Sequence, residues 1–316
     1  VPDALFAGDT HDVVRLATRA YVWGMPLVEA AQIRMRFTSP ADGGAAPGSL
    51  NRFKHRRKLA GPEMRAGVGP NNDTIYSLAW VDLADGPLVM TAPDFGNRYY
   101  TFSINFADSA AEQSLGQRTY GGQLPPLFLH GPGWRGSVPK GMVDVPSPTR
   151  YANIAGRILV RGPDEYAEVN ALQDKLALYR WSDWKAGRRV PAPSPAQTTA
   201  DDAPAASSEA IVFFQRLGAM LRDWHPSRAD TTLLKTFPAI GLTQNDGFHP
   251  ERLSPDQRAA LEAGYRAGKA LVAAHSLNLG VQSNGWTTNY RGPRFGNDWL
   301  LRAAVAKDQI FVAIPE

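Results

Sequence analysis

The sequence predicts a multidomain α+β protein, with an antiparallel β-sandwich-like domain flanked by N-terminal and C-terminal helical regions. Three observations carry this. The chain has 316 residues, long for one core, so two structural units are expected. Its 29 Gly and 25 Pro exceed what a mainly helical protein needs and imply many turns. From residue 74 to about residue 160, short β-branched and aromatic runs replace helical periodicity, with Gly, Pro, Asp or Asn between them. The expected divisions are an N-terminal helical region with a basic loop (1–59), the β-sandwich-like domain (60–162) and a helical region (163–316).

Residues 10–37 read as a helix. Thr10 serves as cap, and Val13, Val14, Leu16, Ala17, Ala20 and Tyr21 recur at three- and four-residue spacing. Pro26 is expected to break or kink it. A loop at 39–49 leads into "RFKHRRK" (52–58), where five of seven residues are Lys or Arg. Such a run suits phosphate, or is simply a solvated face. Strands are expected at 74–81, 86–93, 98–105, 125–132 and 157–162, with "DFGN" (94–97) as a hairpin-like turn between two of them. Helices follow at 164–178, 208–224, 254–280 and 298–306. The 254–280 helix has Ser254 at its cap, Pro255 at the first helical position, Gln257 completing a capping box and Gly280 at its stop. Residues 187–208, rich in Pro, Ala and Ser, read as a surface linker.

Composition narrows the function classes. A net charge of +4 favours neither nucleic acid nor a membrane surface, and no apolar run approaches the roughly 20 residues of a membrane span. The absence of cysteine excludes disulfides, thiolate metal sites and a Cys nucleophile, and suits an oxidising compartment. With Val rather than Met first, a periplasmic or secreted protein with its signal peptide removed is expected. Shortening of the chain is the other explanation.

The polar stretch "GPNNDTIYS" (69–77) is the leading candidate site. Asn71, Asn72 and Asp73 suit Asx turns, a purely structural role. They also set acceptors and amide donors beside the Tyr76 phenol. In a strand from Thr74, Thr74 and Tyr76 share one face, and Ile75 and Ser77 the other. The next strand places Arg98 and Tyr100 on one face, and Asp108 follows it, where a sheet end would bring it near Asp73. Two carboxylates in a partly dry cleft divide acid and base duties. Arg118 would anchor an anionic group or pair with either Asp. A third group joins Asn51 and His55 to Asn284, Trp286, Asn289 and Tyr290, which suits sugars and equally a packed junction.

Other chemistries find little support. No two of the six histidines lie three to five residues apart, so no zinc motif is present and no metal is expected. There is no G-x-S-x-G around Ser77 or Ser103. "GDTHD" and "GPGWRG" lack the glycine spacing of phosphate loops, and His275 reads as a structural helix residue.

Four segments in order, "AYVWGMPLVEA" (20–30), "GPNNDTIYSLAWVDLADGPLVMTAPD" (69–94), "RYYTFSINFADSAAEQSLGQRTYGG" (98–122) and "TTNYRGPRFGNDWLLRAAVAKDQIFVAIPE" (287–316), resemble the bacterial family called domain of unknown function 1254. The resemblance implies export and a companion β-rich domain, domain of unknown function 1214, after "FVAIPE". A companion domain or second chain is therefore expected to cover residues 305–316, and a homo-oligomer is left open.

The expected function is a cofactor-independent hydrolase, hydratase or lyase, with Asp73, Asp108 and Tyr76 catalytic and Arg118 orienting a small-molecule substrate. The alternative is a non-catalytic envelope module that binds glycan or protein. A deep cleft with desolvated carboxylates would favour the enzyme, and a shallow aromatic platform the module.

Overall fold

The computed structural model describes residues 5–6, 11–38, 50–62, 71–111, 113, 115–192, 207–222 and 224–307. It divides into two compact units. One gathers Val1–Ile33, Asp108–Ala110 and Thr198–Val312, and the other Arg34–Ala107, Ala111–Gln197 and Ala313–Glu316. The expected mix holds: several antiparallel sheets, with helices before and after them. The expected cap Thr10, the 39–49 loop and most of the 187–208 linker lie outside the described residues.

Helix α1 (Val13–Thr38) runs 26 residues with Pro26 inside it. Pro26 removes one N–H from the ladder without ending the helix, because both flanks are anchored by burial. Leu16, Ala17, Ala20, Val22 and Trp23 have no exposed surface.

The unit beginning at Arg34 holds two sheets. The first has five strands: β1 (Lys54–His55), β2 (Thr74–Asp82), β4 (Tyr100–Phe106), β5 (Leu115–Gly116) and β8 (Tyr151–Leu159), in the order β1-β2-β8-β4-β5, all antiparallel. The second holds β3 (Leu88–Thr91), β6 (Leu127–His130), β7 (Val143–Pro146) and β9 (Ala177–Arg180), in the order β7-β6-β3-β9, with β6 and β7 parallel. Alternation explains β2: Ile75, Ser77, Ala79 and Val81 are wholly buried on one face.

Three sequence expectations need correction. "DFGN" is not a hairpin turn, because β3 and β4 belong to different sheets. Strand β8 starts at Tyr151 rather than at residue 157. Its first half carries one β-branched residue, Ile154, among Ala152, Asn153, Ala155 and Gly156, yet the small residues are required. A Cβ on Gly156 would stand 2.5 Å from the Phe102 ring. The expected 164–178 helix ends early, as α2 (Tyr166–Gln173), because residues 177–180 pair with β3 instead.

The other unit holds α3 (Glu209–Leu221), α4 (Arg228–Leu234), a two-stranded ribbon of β10 (Leu242–Thr243) and β11 (Gly247–Phe248), α5 (Pro255–Ser276), a hairpin of β12 (Val281–Ser283) and β13 (Trp286–Thr288), and α6 (Trp299–Val305). The Ser254–Gln257 capping box forms as expected, but α5 stops at Ser276, before Gly280. Gly264 lets α5 approach α1: a Cβ there would stand 2.4 Å from the Val14 carbonyl oxygen. Asp230 is the polar hub. Its Oδ1 accepts the indole N–H groups of Trp23 (2.7 Å) and Trp299 (3.2 Å), while Oδ2 accepts from Ser227. Val305 packs with Leu279, Phe295 and Leu301. Its side of α6 is thus covered by the chain itself, and residues 308–316 lie outside the described set.

One exposed cluster here sets a pH dependence. His249 bonds Glu251 through Nδ1 at 2.8 Å and meets Asp246 Oδ2 at 2.9 Å, and these contacts, Glu251 first, raise its pKa above 6.5. Its stabilising effect is therefore complete below the unfolded value and is lost as pH rises through the folded one. Glu251→Gln is expected to lower the His249 midpoint in an NMR titration. An unmoved midpoint would contradict this assignment.

Candidate functional site

The strand register separates the proposed catalytic residues. Thr74 pairs with Leu159 and Tyr100 with Ile158, so Asp73 and Arg98 lie at one end of the first sheet. Phe106 pairs with Ala152 at the other end, about 25 Å away for a nine-residue strand. Asp108 leaves from that far end and belongs to the other unit, where its Oδ2 meets Arg302 Nη1 at 2.9 Å in a buried ion pair. Asp73 and Asp108 therefore do not share a cleft, and the paired-carboxylate expectation fails on register.

The "NNDT" cluster is a turn. Asn71 Oδ1 accepts the backbone N–H groups of Asp73 (2.8 Å) and Thr74 (3.0 Å), and its amide reaches Thr74 Oγ1 and the Tyr76 hydroxyl. Asn72 and Asp73 are exposed. The Arg157 guanidinium stands 5.1 Å from the Tyr76 ring centre. Arg98 is consumed by Glu165 (2.5 Å), Glu168 (3.0 Å) and the Leu159 carbonyl, and its hydrogen bond draws Glu165 down to about 2. Tyr100 is buried, stacks on Phe95 and donates to the Gly121 carbonyl. Burial pushes its phenol up. Arg118 is exposed on the short helix Gln117–Tyr120, with no described carboxylate in ion-pair range.

The third group is divided between the two units. Asn284 (φ 51°), Trp286 and Tyr290 lie on the β12–β13 hairpin and just after it, and the two rings are 77 % and 80 % exposed. Asn51 and His55 belong to the other unit. The basic run holds protein groups: Arg57 pairs with Asp174 at 2.6 Å, and Lys54 lies over the Phe37 ring.

Of the sequence candidates, Asn51 lines a cleft of about 270 Å³ within the two-sheet unit. Its φ of 59° turns the chain so that Oδ1 accepts the Asp82 N–H at 2.8 Å, while its own N–H reaches the Trp80 carbonyl. Asp82 is held on both oxygens by Arg150, each contact 2.8 Å. The pairing of Leu88 with Arg180 brings the 82–88 turn beside Trp181, Ser182 and Lys185, and the Trp181 N–H donates to the Pro87 carbonyl. Phe128 supports both aromatic walls, with its ring 5.3 Å from Trp181 and 5.7 Å from Trp134. Gly136 lies against Trp134, where a Cβ would stand 2.3 Å from the indole. The Trp134 N–H is buried without an acceptor among the described residues. Asp85 and Lys185 complete the rim as exposed charges.

The sequence reading missed Trp134, Trp181, Asp85 and Lys185. Trp134 sits in "GPGWRG", weighed above only as a phosphate loop. The aromatic and charged run "YRWSDWK" (179–185) was the available signal, masked because its strand, Ala177–Arg180, pairs with Leu88–Thr91, far earlier in the chain. Among the described residues, no three His, Asp or Glu side chains cluster as metal ligands.

Residues 50–180 match the model of the family described as "Protein of unknown function (DUF1254)". Among solved structures, the VPA0106 protein from Vibrio parahaemolyticus is similar at 19 % identity with a TM-score of 0.67, over 94 % of this chain and 67 % of that one. An uncharacterised protein from Burkholderia cenocepacia aligns at 11 % identity over 87 % of this chain and 62 % of its own, but its TM-score of 0.29 carries no weight. No curated protein matches the chain.

Proposed function

We propose that this chain, whose residues 50–180 belong to the DUF1254 family, is a binding module for a saccharide-type ligand, held in the Trp134–Trp181 cleft. The observation that carries the reading is the wall itself. It offers two half-buried indoles for stacking, with the exposed charges of Asp85 and Lys185 at their rim. Hydroxylated rings suit such a wall, presenting an apolar face to an indole and hydroxyls to the charged rim. Periplasmic or secreted placement belongs to the same proposal, supported by a chain without cysteine. Among the described residues no helix is long and apolar enough to cross a membrane.

Hydrolase, hydratase or lyase chemistry by Asp73, Asp108 and Tyr76 loses its support because these residues do not converge. A companion domain or second chain would meet residues beyond Ala306, since Val305 and Ala306 are themselves buried within the chain. The test is calorimetric titration against a panel of soluble oligosaccharides. Wild-type protein is expected to bind one class, and Trp181→Ala to weaken that binding at least about tenfold, or ~1.4 kcal/mol. Equal affinity in the variant, or no binder in the panel, would overturn the proposal. Turnover of the bound sugar would return the enzyme reading, relocated to this cleft.

A further inference from the structure

We propose that His55 is an acid-operated latch on the cleft, holding the Asn51 strand in place when neutral and releasing it when protonated. The inference rests on the cleft being a binding site, and adds its regulation. Residues 51–56 are zipped along β2. The Asn51 N–H bonds the Trp80 carbonyl, Lys54 and His55 pair with Leu78 and Ser77, and the Arg56 N–H bonds the Tyr76 carbonyl. Asn51, which lines the cleft, and His55 are thus four residues apart on one short edge segment.

The lock at the His55 end is a closed hydrogen-bond set. His55 Nδ1 lies 2.9 Å from Ser77 Oγ, and Ser77 is wholly buried. Gln173, also wholly buried, shares the two N–H groups of Nε2 among Ser77 Oγ (3.0 Å), the Tyr76 carbonyl (3.0 Å) and the Arg56 carbonyl (3.2 Å). In the neutral ring with Nδ1 unprotonated, the single Ser77 proton has an acceptor in Nδ1 while Ser77 Oγ accepts from Gln173, and every group of the set is used. Protonation of the ring turns Nδ1 into a donor and strands the Ser77 proton in a buried place.

The surrounding charges oppose protonation. Arg57 and Arg52 flank the ring on its own segment, and Asp174, beyond the end of α2, is the one favourable charge but is engaged by Arg57. Phe53 stacks on the ring at 5.9 Å. Burial first, then Arg57, lowers the His55 pKa from 6.5 to about 4. The sign follows: an open state with an ordinary imidazole binds the proton more tightly, so each fall in pH between those values favours opening.

Hydrogen–deuterium exchange of the ligand-free protein, corrected for intrinsic rates, tests this without any sugar. At pH 4.5 the peptide over residues 50–58 is expected to lose at least about tenfold of its pH 7 protection, against a ceiling near a hundredfold. His55→Gln keeps a neutral side chain able to bond Ser77, and is expected to retain protection at both pH values. His55→Asn serves if the Gln variant fails to fold. Unchanged protection at acid pH, or the same loss in a folded neutral variant, would overturn the latch. If the exchange result holds while Trp181→Ala binds sugars like wild type, the latch stands and the cleft assignment falls.

Discussion

Replacing Asp108 with Asn is expected to destabilise the protein by about 3–5 kcal/mol, the cost of stranding a buried charge. Asp108 and Arg302 are 7 % and 3 % exposed, and their N–O contact is 2.9 Å. Arg302 also donates Nη2 to the Trp23 carbonyl, while its buried Nε finds no acceptor among the described residues. Among the described residues, the cation depends on one carboxylate for charge balance. Asn keeps the shape of Asp and removes that charge, so the loss reads electrostatics rather than a cavity. Denaturant unfolding measures it. The double replacement Asp108→Leu with Arg302→Met is expected to recover most of the loss, since two apolar groups need no partner. The same experiment separates structure from catalysis. A catalytic Asp108 would tolerate Asn in stability and lose only turnover, so an unfolding free energy within about 1 kcal/mol of wild type would count against the structural assignment.

Gln173→Leu is expected to cost about 2–4 kcal/mol, although the two side chains are similar in size. The change removes one donor that serves the Arg56 carbonyl, the Tyr76 carbonyl and Ser77 Oγ. It also removes the Oε1 acceptor 3.4 Å from Arg57 Nη1. Buried oxygens without donors carry the desolvation penalty in full, and Leu fills the volume without repairing it. Gln173→Glu is a useful companion, because it keeps the shape but replaces the amide donor with acceptors facing acceptors. Both variants should open the 50–58 segment to exchange at pH 7, where the wild type stays protected. A Leu variant as stable as wild type would show that water replaces the amide.

Much of the fold was legible locally. The β2 and β4 boundaries fell within a residue or two of expectation, because alternation and flanking Gly, Pro and Asn mark strand ends. The α5 start was legible from Ser254, Pro255 and Gln257, whose capping bonds span three residues. By contrast β1 hid in a basic run, and the first half of β8 in small residues, since each is a strand only by virtue of its neighbour. The candidate site was less legible still. Asn51 was named from sequence for a different grouping, whereas Trp181 and Lys185 entered only once β9 was seen beside β3, and Trp134 only through the cleft itself.

The "GPNNDTIYS" stretch marks the division. Its turn chemistry and strand parity follow from bonds reaching two to five residues, as the Asn71 contacts show. Such interactions are written into adjacent side chains, so the sequence alone settles them. Which polar groups meet across the fold is another matter. Asp108 finds Arg302 across 194 positions, and Gln173 finds Ser77 across 96. Those partners are chosen by strand register and helix packing, which sum many weak contacts over the whole chain, and no short window contains that sum.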